Sequence, residues 1–558
     1  MIPTEPPATA PLLPLDRRSL IKGGILGAGL AAAPLSAQVG QRGFSHGVAS
    51  GEPGARRVLL WTRYVAAQET ALTCELSESL DFARPIAGGQ TPASPDRDFC
   101  AKLFVEGLEP GRWYYYRFIA PDGAVSDIGR TKTLSEGETG RFRMAVFSCS
   151  NIGFGWFNAY AHAAQADDVD CVLHLGDYFY EYAPGTYPSA GDVTPGRTVW
   201  PERELVALAD YRARFAAYRR DADLRRLHQL FPMIAVADDH ESANDSWAGG
   251  AQNHQPDSEG PWDVRKAAAI RAYREWMPVS DEPWAEYEIG NLATLFRLET
   301  RLTARSEQFS FDDLLAGKTT SEAAQAALIA FRDETYRDPA REMLGAAQQG
   351  WLANGLKRSR GDGKIWQVLV QQVLMGSLSS PPGVDALLPK DTPDFIRKRV
   401  VAGARAAETG LPLNMDAWDG YPAARERLFA AALAADANLI SLAGDTHNAW
   451  AFDLSHDSAP VGVEFGGQSV SSPGFEGYLP MLPPPVLTGA LVQRNPQLRW
   501  ADTSQRGYMA VELTPQRASS EYRFVSSVRT RGADLAGTKT LTTLTGRRTL
   551  ALGAETGS

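Results

Sequence analysis

The chain has 558 residues, of which 44% are hydrophobic and 22% are charged, the balance of a soluble globular protein rather than of a disordered or fibrous one. This length exceeds what one hydrophobic core usually needs, so we expect two folded units. The formal net charge is −10 and no dense run of basic residues occurs, which argues against nucleic acid as the main partner.

The N-terminus has the pattern of an export signal. Arg17 and Arg18 are adjacent, and a weakly hydrophobic segment over 23–33 is followed by small residues up to Ala37. We expect a twin-arginine signal peptide over 1–37, recognised by the twin-arginine translocase, and a periplasmic or secreted mature protein. The alternative is a disordered basic tail. We expect no stable membrane anchor, because the apolar run is short and glycine-rich and no cysteine lies near Ala37.

The next part of the chain has the pattern of short β-strands. Apolar segments such as RRVLLWTRYV and RWYYYRFIA are separated by turns rich in Gly, Pro and Asp. This pattern predicts a small all-β sandwich of immunoglobulin or fibronectin type over 42–135, followed by a polar linker. Cys74 and Cys100 both lie in this region and could pair in an oxidising compartment, a point that the sequence alone leaves open.

After residue 140 apolar strands alternate with helices, which predicts an α/β domain over 140–550. No internal repeat or low-complexity block interrupts this alternation. The expected strands are 142–148, 169–175, 232–237, 294–299, 366–373 and 439–443, and the expected helices include 156–165, 205–218, 261–276 and 423–434.

Potential metal ligands follow four of these strands directly. They are Cys149 after the first strand, Asp177 and Tyr180 after the second, Asp239 and Asn244 with His240 between them after the third, and Asp445 and His447 after the last. Open α/β sheets form their sites beyond the carboxyl ends of strands. Four such clusters from distant parts of the chain are hard to explain by packing, so they predict a dinuclear metal site with a bridging carboxylate.

The donor types divide this site between two kinds of ion. A thiolate, a phenolate and an imidazole favour a ferric ion, with Asp177 as the bridge, whereas oxygen-only donors favour calcium. The first set is Cys149, Tyr180 and His447, and the second is Asp239, Asn244 and Asp445. Simpler interpretations stay open: Cys149 as a buried structural cysteine, and His240 as a core histidine or as a group that holds a ligand carboxylate.

Long motifs run through most of the chain after the N-terminal segment. They are GVASGEP (47–53), LLWTR (59–63), YRARFAAYRRDADLRRLHQLFPMIAVADDHE (211–241), AYREWMP (272–278), DAWDGYPAARERL (416–428), SLAGDTHNAW (441–450) and VEFGGQSVSSPG (463–474). Together they resemble the PhoD family of alkaline phosphatases, within the calcineurin-like metallophosphatases. Two departures are Asp245, where the family usually has a second asparagine, and LETR at 298–301 in place of LDTR.

The resemblance implies a four-layer αββα metallophosphatase domain preceded by the small β-sandwich. It also implies one ferric ion (Fe3+) and one or more calcium ions (Ca2+). By motif position, the iron would be surrounded by Cys149, Asp177, Tyr180 and His447, with Asp177 bridging. Asp239 and Asn244 would face calcium, and Asp445 could bind either ion.

The function implied is that of an exported metal-dependent phosphatase that hydrolyses small phosphate monoesters. A metal-activated hydroxide would attack phosphorus in line, Asn244 would offset charge on the phosphate oxygens, and His240 would position a ligand or protonate the leaving group. One alternative is a phosphodiesterase or phospholipase D-like enzyme on the same site, which depends on the loops that cover it; the insert 181–204 and the tail after Tyr508 are candidates. A distant alternative is a non-catalytic exported protein that binds phosphate or calcium.

Overall fold

The structure, a computed structural model, describes residues 42–551 apart from 389, 391 and 393. The predicted signal peptide over 1–37 lies outside the described residues. In the described part of the chain, no helix has both the length and the apolar character needed to cross a bilayer.

The strands, numbered in chain order, have the following bounds: β1 Gly43–Gly51, β2 Arg57–Val65, β3 Thr70–Ser77, β4 Ala87–Ala93, β5 Cys100–Glu106, β6 Trp113–Ile119, β7 Gly129–Lys132, β8 Phe142–Phe147, β9 Cys171–His174, β10 Pro232–Ala235, β11 Ser246–Trp247, β12 Gly250–Ala251, β13 Ala285–Ile289, β14 Ala293–Arg297, β15 Trp366–Val370, β16 Leu439–Ala443, β17 Ala449–His456, β18 Ala459–Gly466, β19 Leu498–Asp502, β20 Gly507–Leu513, β21 Arg517–Val525, β22 Leu535–Leu544 and β23 Leu550–Ala551. The α-helices are Asn158–Ala166, Leu208–Tyr218, Ala222–Leu230, Pro256–Glu259, Trp262–Trp276, Phe311–Leu315, Ser321–Glu334, Gly345–Gly361, Asp394–Glu408, Pro422–Ala434, Phe475–Tyr478 and Pro484–Arg494.

Two large sheets carry the predicted α/β region. One has ten strands in the order β23-β22-β21-β20-β8-β9-β10-β1-β2-β5, and the other has seven in the order β13-β14-β15-β16-β18-β17-β19. Strands β8, β9 and β10 are parallel, as are β14, β15, β16 and β18. Every residue of β9, β10, β15 and β16 is buried, which explains why these strands are continuous apolar runs rather than alternating ones.

The hydrophobic core is divided into clusters that follow the sheets. One cluster contains side chains from both large sheets, such as Val146 and Leu173 from the first and Val368 and Ile440 from the second. A second cluster joins the ten-stranded sheet to helices that include Leu208–Tyr218 and Trp262–Trp276. A third joins the seven-stranded sheet to helices that include Gly345–Gly361 and Pro422–Ala434. The structure therefore has mixed α/β content with helices packed against each sheet.

The N-terminal strands form two layers around their own apolar cluster, which includes Leu60, Leu72 and Tyr116. One layer is the four-stranded sheet β4-β3-β6-β7. The other layer, β1, β2 and β5, is continuous with the ten-stranded sheet, because β1 pairs in parallel with β10. The strands of the predicted sandwich thus share a sheet with strands of the α/β region. Cys74 and Cys100 are buried free thiols on β3 and β5, which belong to different sheets.

Candidate metal centre

The ends of three strands bring a thiol, a carboxylate and an imidazole together. Ligand atoms of Cys149, Asp177 and His447 all lie within 4.8 Å of one another. These residues follow β8, β9 and β16, so the predicted clustering at the carboxyl edge of the sheets is what the geometry shows. Cys149, Asp177, His447 and Asp445 all have φ between 52° and 66°, a left-handed conformation that non-glycine residues rarely adopt and that clusters at functional sites.

Two glycines allow the strand ends to approach one another. Gly176 has a φ of +99°, and a Cβ at this position would lie 2.3 Å from the Cβ of Asp238. A Cβ at Gly444 would lie 2.6 Å from the Cβ of Ser148. Any side chain at these two positions would push apart the turns that carry the candidate ligands.

Tyr180 completes the first group of donors. Its hydroxyl donates to Asp177 Oδ2 at 3.0 Å, lies 3.0 Å from His447 Nε2 and accepts from Ser472 Oγ at 2.8 Å. Burial, followed by the negative charges of Asp177 and Cys149, raises the pKa of Tyr180 well above its usual value. Burial and Asp177 likewise raise the pKa of the Cys149 thiol. Both groups therefore need a nearby cation in order to ionise.

His447 has the form that a metal ligand requires. Burial lowers its pKa to about 3, so the imidazole is neutral. Its Nδ1 lies 2.8 Å from the carbonyl oxygen of Pro473, which makes Nδ1 the donor and leaves Nε2 free to bind an ion. Nε2 is the nitrogen that faces Tyr180.

Two further groups extend the centre. Asp177 also belongs to a group with Asp239 and His240, and Asp239 belongs to another with Asp238 and Asp445. Asp177 Oδ1, Asp238 Oδ2 and Asp239 Oδ1 are buried and have no hydrogen-bond partner among the described residues. Buried carboxylate oxygens are costly without a partner, and hard cations are the partners that oxygen donors accept. The donors therefore fit a pair of bound cations.

A buried arginine contacts the group formed by Asp238, Asp239 and Asp445. Arg301 Nε lies 2.5 Å from Asp238 Oδ1, and its Nη2 lies 3.2 Å from Asp445 Oδ1 and 3.8 Å from Asp239 Oδ1. Its Nη1 contacts both oxygens of Asp416 at 2.8 Å. Sequence reasoning noted Arg301 only as the end of the LETR motif, and its burial among these acids is visible only in the structure.

His240 is held by Glu181, which sequence reasoning also missed. His240 Nδ1 lies 2.6 Å from Glu181 Oε2, and Glu181 Oε1 accepts from the side chain of Asn253 at 2.8 Å. Burial lowers the pKa of His240, but the charges of Asp239, Asp177 and Glu181 outweigh burial and raise it well above its usual value. The contact with Glu181 fixes the orientation of the ring, and the surrounding carboxylates favour its protonated form.

The Asn244 side chain points to a partner that the sequence did not indicate. Its Nδ2 donates to Gln252 Oε1 at 3.0 Å, while its backbone N–H donates to Glu181 Oε1 at 2.7 Å. Its neighbour Asp245 donates through its own backbone N–H to Asp239 Oδ2 at 2.6 Å. Burial, then Asp416 and Asp239, raise the pKa of the Asp245 carboxyl to about 7.

Glu241 fixes the turns that carry two of the carboxylates. Its carboxylate accepts from the backbone N–H groups of Asp177 at 3.2 Å, Tyr178 at 2.6 Å and Asp238 at 2.7 Å. It is a buried acid that follows β10 and joins the turn after β9 to the turn after β10, a role that is visible only once both strand ends are in place.

The two candidate covering segments differ in position. The insert 181–204 approaches the centre at Tyr187, whose ring centroid lies 5.5 Å from that of Tyr180. The tail after Tyr508 instead forms strands of the ten-stranded sheet, and the Tyr508 hydroxyl bonds to His162 and Arg523.

Comparison with known proteins finds similar chains along most of the sequence. The family model described as PhoD-like phosphatase matches residues 144–522, and that of the PhoD-like phosphatase N-terminal domain matches residues 29–135. Alkaline phosphatase D of Bacillus subtilis (strain 168) is 31% identical over 520 residues, which cover 88% of this chain and 79% of that protein. A solved structure described as "Structure of PhoD" has a TM-score of 0.73 and 28% identity, over 92% of both chains.

Proposed function

The chain belongs to the family of PhoD-like phosphatases and is a phosphoric ester hydrolase of the alkaline phosphatase D type, and from this premise we propose that it is an exported, metal-dependent enzyme that hydrolyses small phosphate monoesters. The observation that carries this proposal is the meeting of Cys149, Asp177 and His447 beside a second, acidic group. A purely structural metal site needs no such run of adjoining donor groups.

We assign the donors to two kinds of ion. Cys149, Tyr180 and His447 would hold a ferric ion, and Asp177 would bridge to calcium because it belongs to two of the donor groups. Asp239 and Asn244 would face calcium. The grouping of Asp445 with Asp238 and Asp239 supports the calcium side for this residue.

The reaction would use the chain's own groups for orientation and proton transfer. When bound, the cations would supply Lewis acidity and lower the pKa of water so that hydroxide is available at mild pH. His240, fixed by Glu181 at 2.6 Å, would donate its proton to the leaving oxygen. Asn244 Nδ2 would donate to a phosphate oxygen, which requires it to exchange its present partner Gln252 for the substrate.

The domain organisation is part of the same proposal. We propose a β-sandwich domain over 42–135 and a catalytic domain over 140–550 with four αββα layers. The apolar cluster between the two large sheets and the two clusters between sheets and helices support four layers. The separate apolar cluster of the N-terminal strands supports the sandwich.

Export is proposed from Arg17 and Arg18 and from the segment that follows them. The mature protein would be periplasmic or secreted after passage through the twin-arginine translocase. N-terminal sequencing of exported protein should begin near Gln38. Replacement of both arginines by lysine should retain the chain in the cytoplasm with its N-terminus intact, and undiminished export of that variant would refute the assignment.

The enzymatic proposal is tested with p-nitrophenyl phosphate and its bis ester. We expect the monoester to be preferred, and we expect loss of turnover after calcium chelation or in Asp177→Asn. The matched control Asp338→Asn changes an exposed carboxylate and should keep turnover. Elemental analysis should find iron and calcium, with iron lost in Cys149→Ser. Preference for the bis ester would identify a diesterase, zinc alone would refute the ferric assignment, and unaffected Asp177→Asn would refute the centre.

A further inference from the structure

Two tyrosines from separate segments meet beside the candidate metal centre. Tyr187 lies in the insert between β9 and the helix Leu208–Tyr218, and Tyr478 ends the helix Phe475–Tyr478. Their hydroxyl oxygens are 2.9 Å apart, a hydrogen-bond distance. Tyr478 is 36% exposed whereas Tyr180 is 2% exposed, so this pair connects the surface to the layer of side chains around the candidate ligands.

The Tyr187 side of the pair is fixed to the turn that follows Cys149. The centroid of its ring lies 4.7 Å from the ring centroid of Phe154 and 5.9 Å from that of Tyr182. Its backbone carbonyl accepts from Asn151 Nδ2 at 3.2 Å. The ring centroid of Tyr182 lies in turn 5.4 Å from that of His240. The Tyr187 ring is therefore held between the turn after β8 and the aromatic side chains that contact His240.

The Tyr478 side is fixed to the turn that carries His447. The backbone N–H of Phe475 donates to Asn448 Oδ1 at 3.1 Å, and Glu476 forms an ion pair with the buried side chain of Arg506. The same segment supplies the Pro473 carbonyl that orients His447 at 2.8 Å. Both halves of the tyrosine pair thus rest on backbone that also positions the metal-ligand candidates.

We propose that the hydrogen-bonded Tyr187–Tyr478 pair is a specificity determinant that selects phosphate esters with one organic substituent over those with two. The proposal rests on the proposed function. The centroid of the Tyr187 ring is only 5.5 Å from that of Tyr180, whose hydroxyl contacts Asp177, so one aromatic ring separates the pair from this candidate ligand. A monoester has one substituent to place, whereas a diester has two, and in this proposal the second substituent lies on the side of the centre that Tyr187 and Tyr478 occupy. Separation of the pair is therefore a cost that a diester bears and a monoester does not.

The test measures kcat/KM for bis(p-nitrophenyl) phosphate and for p-nitrophenyl phosphate in the metal-loaded full-length enzyme. In Tyr187→Phe and in Tyr478→Phe we expect the diester-to-monoester ratio to rise about fivefold, as loss of one neutral hydrogen bond predicts. The double variant should show the same rise as either single variant, because both substitutions remove one shared bond. The matched control Tyr64→Phe loses a hydroxyl bond of 2.8 Å to Asp122 in the N-terminal strands and should leave the ratio unchanged.

Three results would overturn the proposal: an unchanged ratio in all variants, a parallel fall for both substrates, or additive effects in the double variant. Its failure is distinct from failure of the proposed function, which wild-type monoester turnover tests by itself. Calorimetric binding of diphenyl phosphate and of inorganic phosphate to the metal-loaded protein gives a readout without turnover. Diphenyl phosphate should bind more tightly to Tyr478→Phe than to wild type by about the same factor, while equal affinities would contradict a covering role.

Discussion

Replacement of Arg301 by glutamine tests whether its guanidinium neutralises the group of acids formed by Asp238, Asp239 and Asp445 when no cation is bound there. The Arg301 side chain is 1% exposed and contacts Asp238, which is also 1% exposed, together with the less buried Asp416 and Asp445. Its removal leaves these carboxylates without their cation, apart from the contact between Arg305 and Asp416.

The expected loss follows from these contacts. Removal of one partner of a buried ion pair costs about 3–5 kcal/mol of the free energy of unfolding. The loss should be near the upper end without divalent cations, because Asp238 and Asp239 each have a buried oxygen with no hydrogen-bond partner in the described part of the chain, and Asp239 would also lose its 3.8 Å contact with Arg301. Saturating calcium should reduce the loss substantially, because a cation bound to the same carboxylates replaces the missing charge.

The assay is urea unfolding of wild type and Arg301→Gln with chelator and with calcium. Arg117→Gln is the control, because its pair with Glu75 is 27% and 26% exposed and such pairs contribute about 0–1 kcal/mol. The charge argument is wrong if Arg301→Gln is no more destabilising than Arg117→Gln in chelator. It is also wrong if calcium does not reduce the difference in unfolding free energy between wild type and Arg301→Gln.

Three further predictions concern a pH effect, a proton donor and a turn. Burial raises the pKa of Glu464 from 4.5 to about 7. The contribution of Glu464 to the free energy of unfolding is therefore full below pH 4.5, and about 3 kcal/mol of it is lost as the pH rises through 7. The urea midpoint of Glu464→Gln should lack this dependence on pH. Glu181→Gln removes a negative charge beside His240 and should move the alkaline limb of kcat by about one pH unit to lower pH, most clearly with phenyl phosphate, whose leaving group needs the proton. Gly176→Ala places a methyl group against Asp238 and should abolish phosphatase activity and lower the melting temperature.

Each of these has a control or a contrary outcome. Gly185→Ala also changes a glycine of positive φ, at +88°, but into open space, so its activity should exceed that of Gly176→Ala; equal activities would remove the steric argument. An unshifted kcat profile in Glu181→Gln would exclude His240 as the proton donor. A pH slope of wild-type size in Glu464→Gln would assign that slope to other acids.

The local part of the centre could be predicted from sequence. Apolar runs specify buried parallel strands, and Cys149 and Asp177 directly follow neighbouring strands of the ten-stranded sheet, so they meet at its carboxyl edge. His447 follows β16 of the seven-stranded sheet, and the packing of the two sheets brings it to the same place. Tyr180 follows Asp177 by three residues and reaches the same group. These residues lie close in sequence to the end of a strand, so the place of the strand in the sequence predicts where the side chain lies in the fold.

The supporting residues could not be predicted in the same way. Arg301 follows β14 of the seven-stranded sheet and contacts Asp238 after β10 of the ten-stranded sheet, so this contact depends on the packing of two sheets, which no local pattern specifies. Glu241 follows β10 and bonds to the turn after β9, a paired strand that is distant in sequence. The Asn244 amide bonds to Gln252 because of the short hairpin that follows it, β11 to β12. The continuity of β1 with β10 also has no local signal, since parallel pairing joins residues about 180 positions apart.

The order of strands in the ten-stranded sheet has a consequence for biosynthesis. Strand β8 pairs with β20, in which Met509 stands opposite Val146, so one neighbour of β8 leaves the ribosome about 360 residues after β8 itself. The turn that carries Cys149 is therefore not enclosed on both sides until almost the whole chain has been made. A cation held by Cys149 would therefore be enclosed only after β20 has been made, and until then the edge of β8 that faces away from β9 would stay unpaired in the nascent chain.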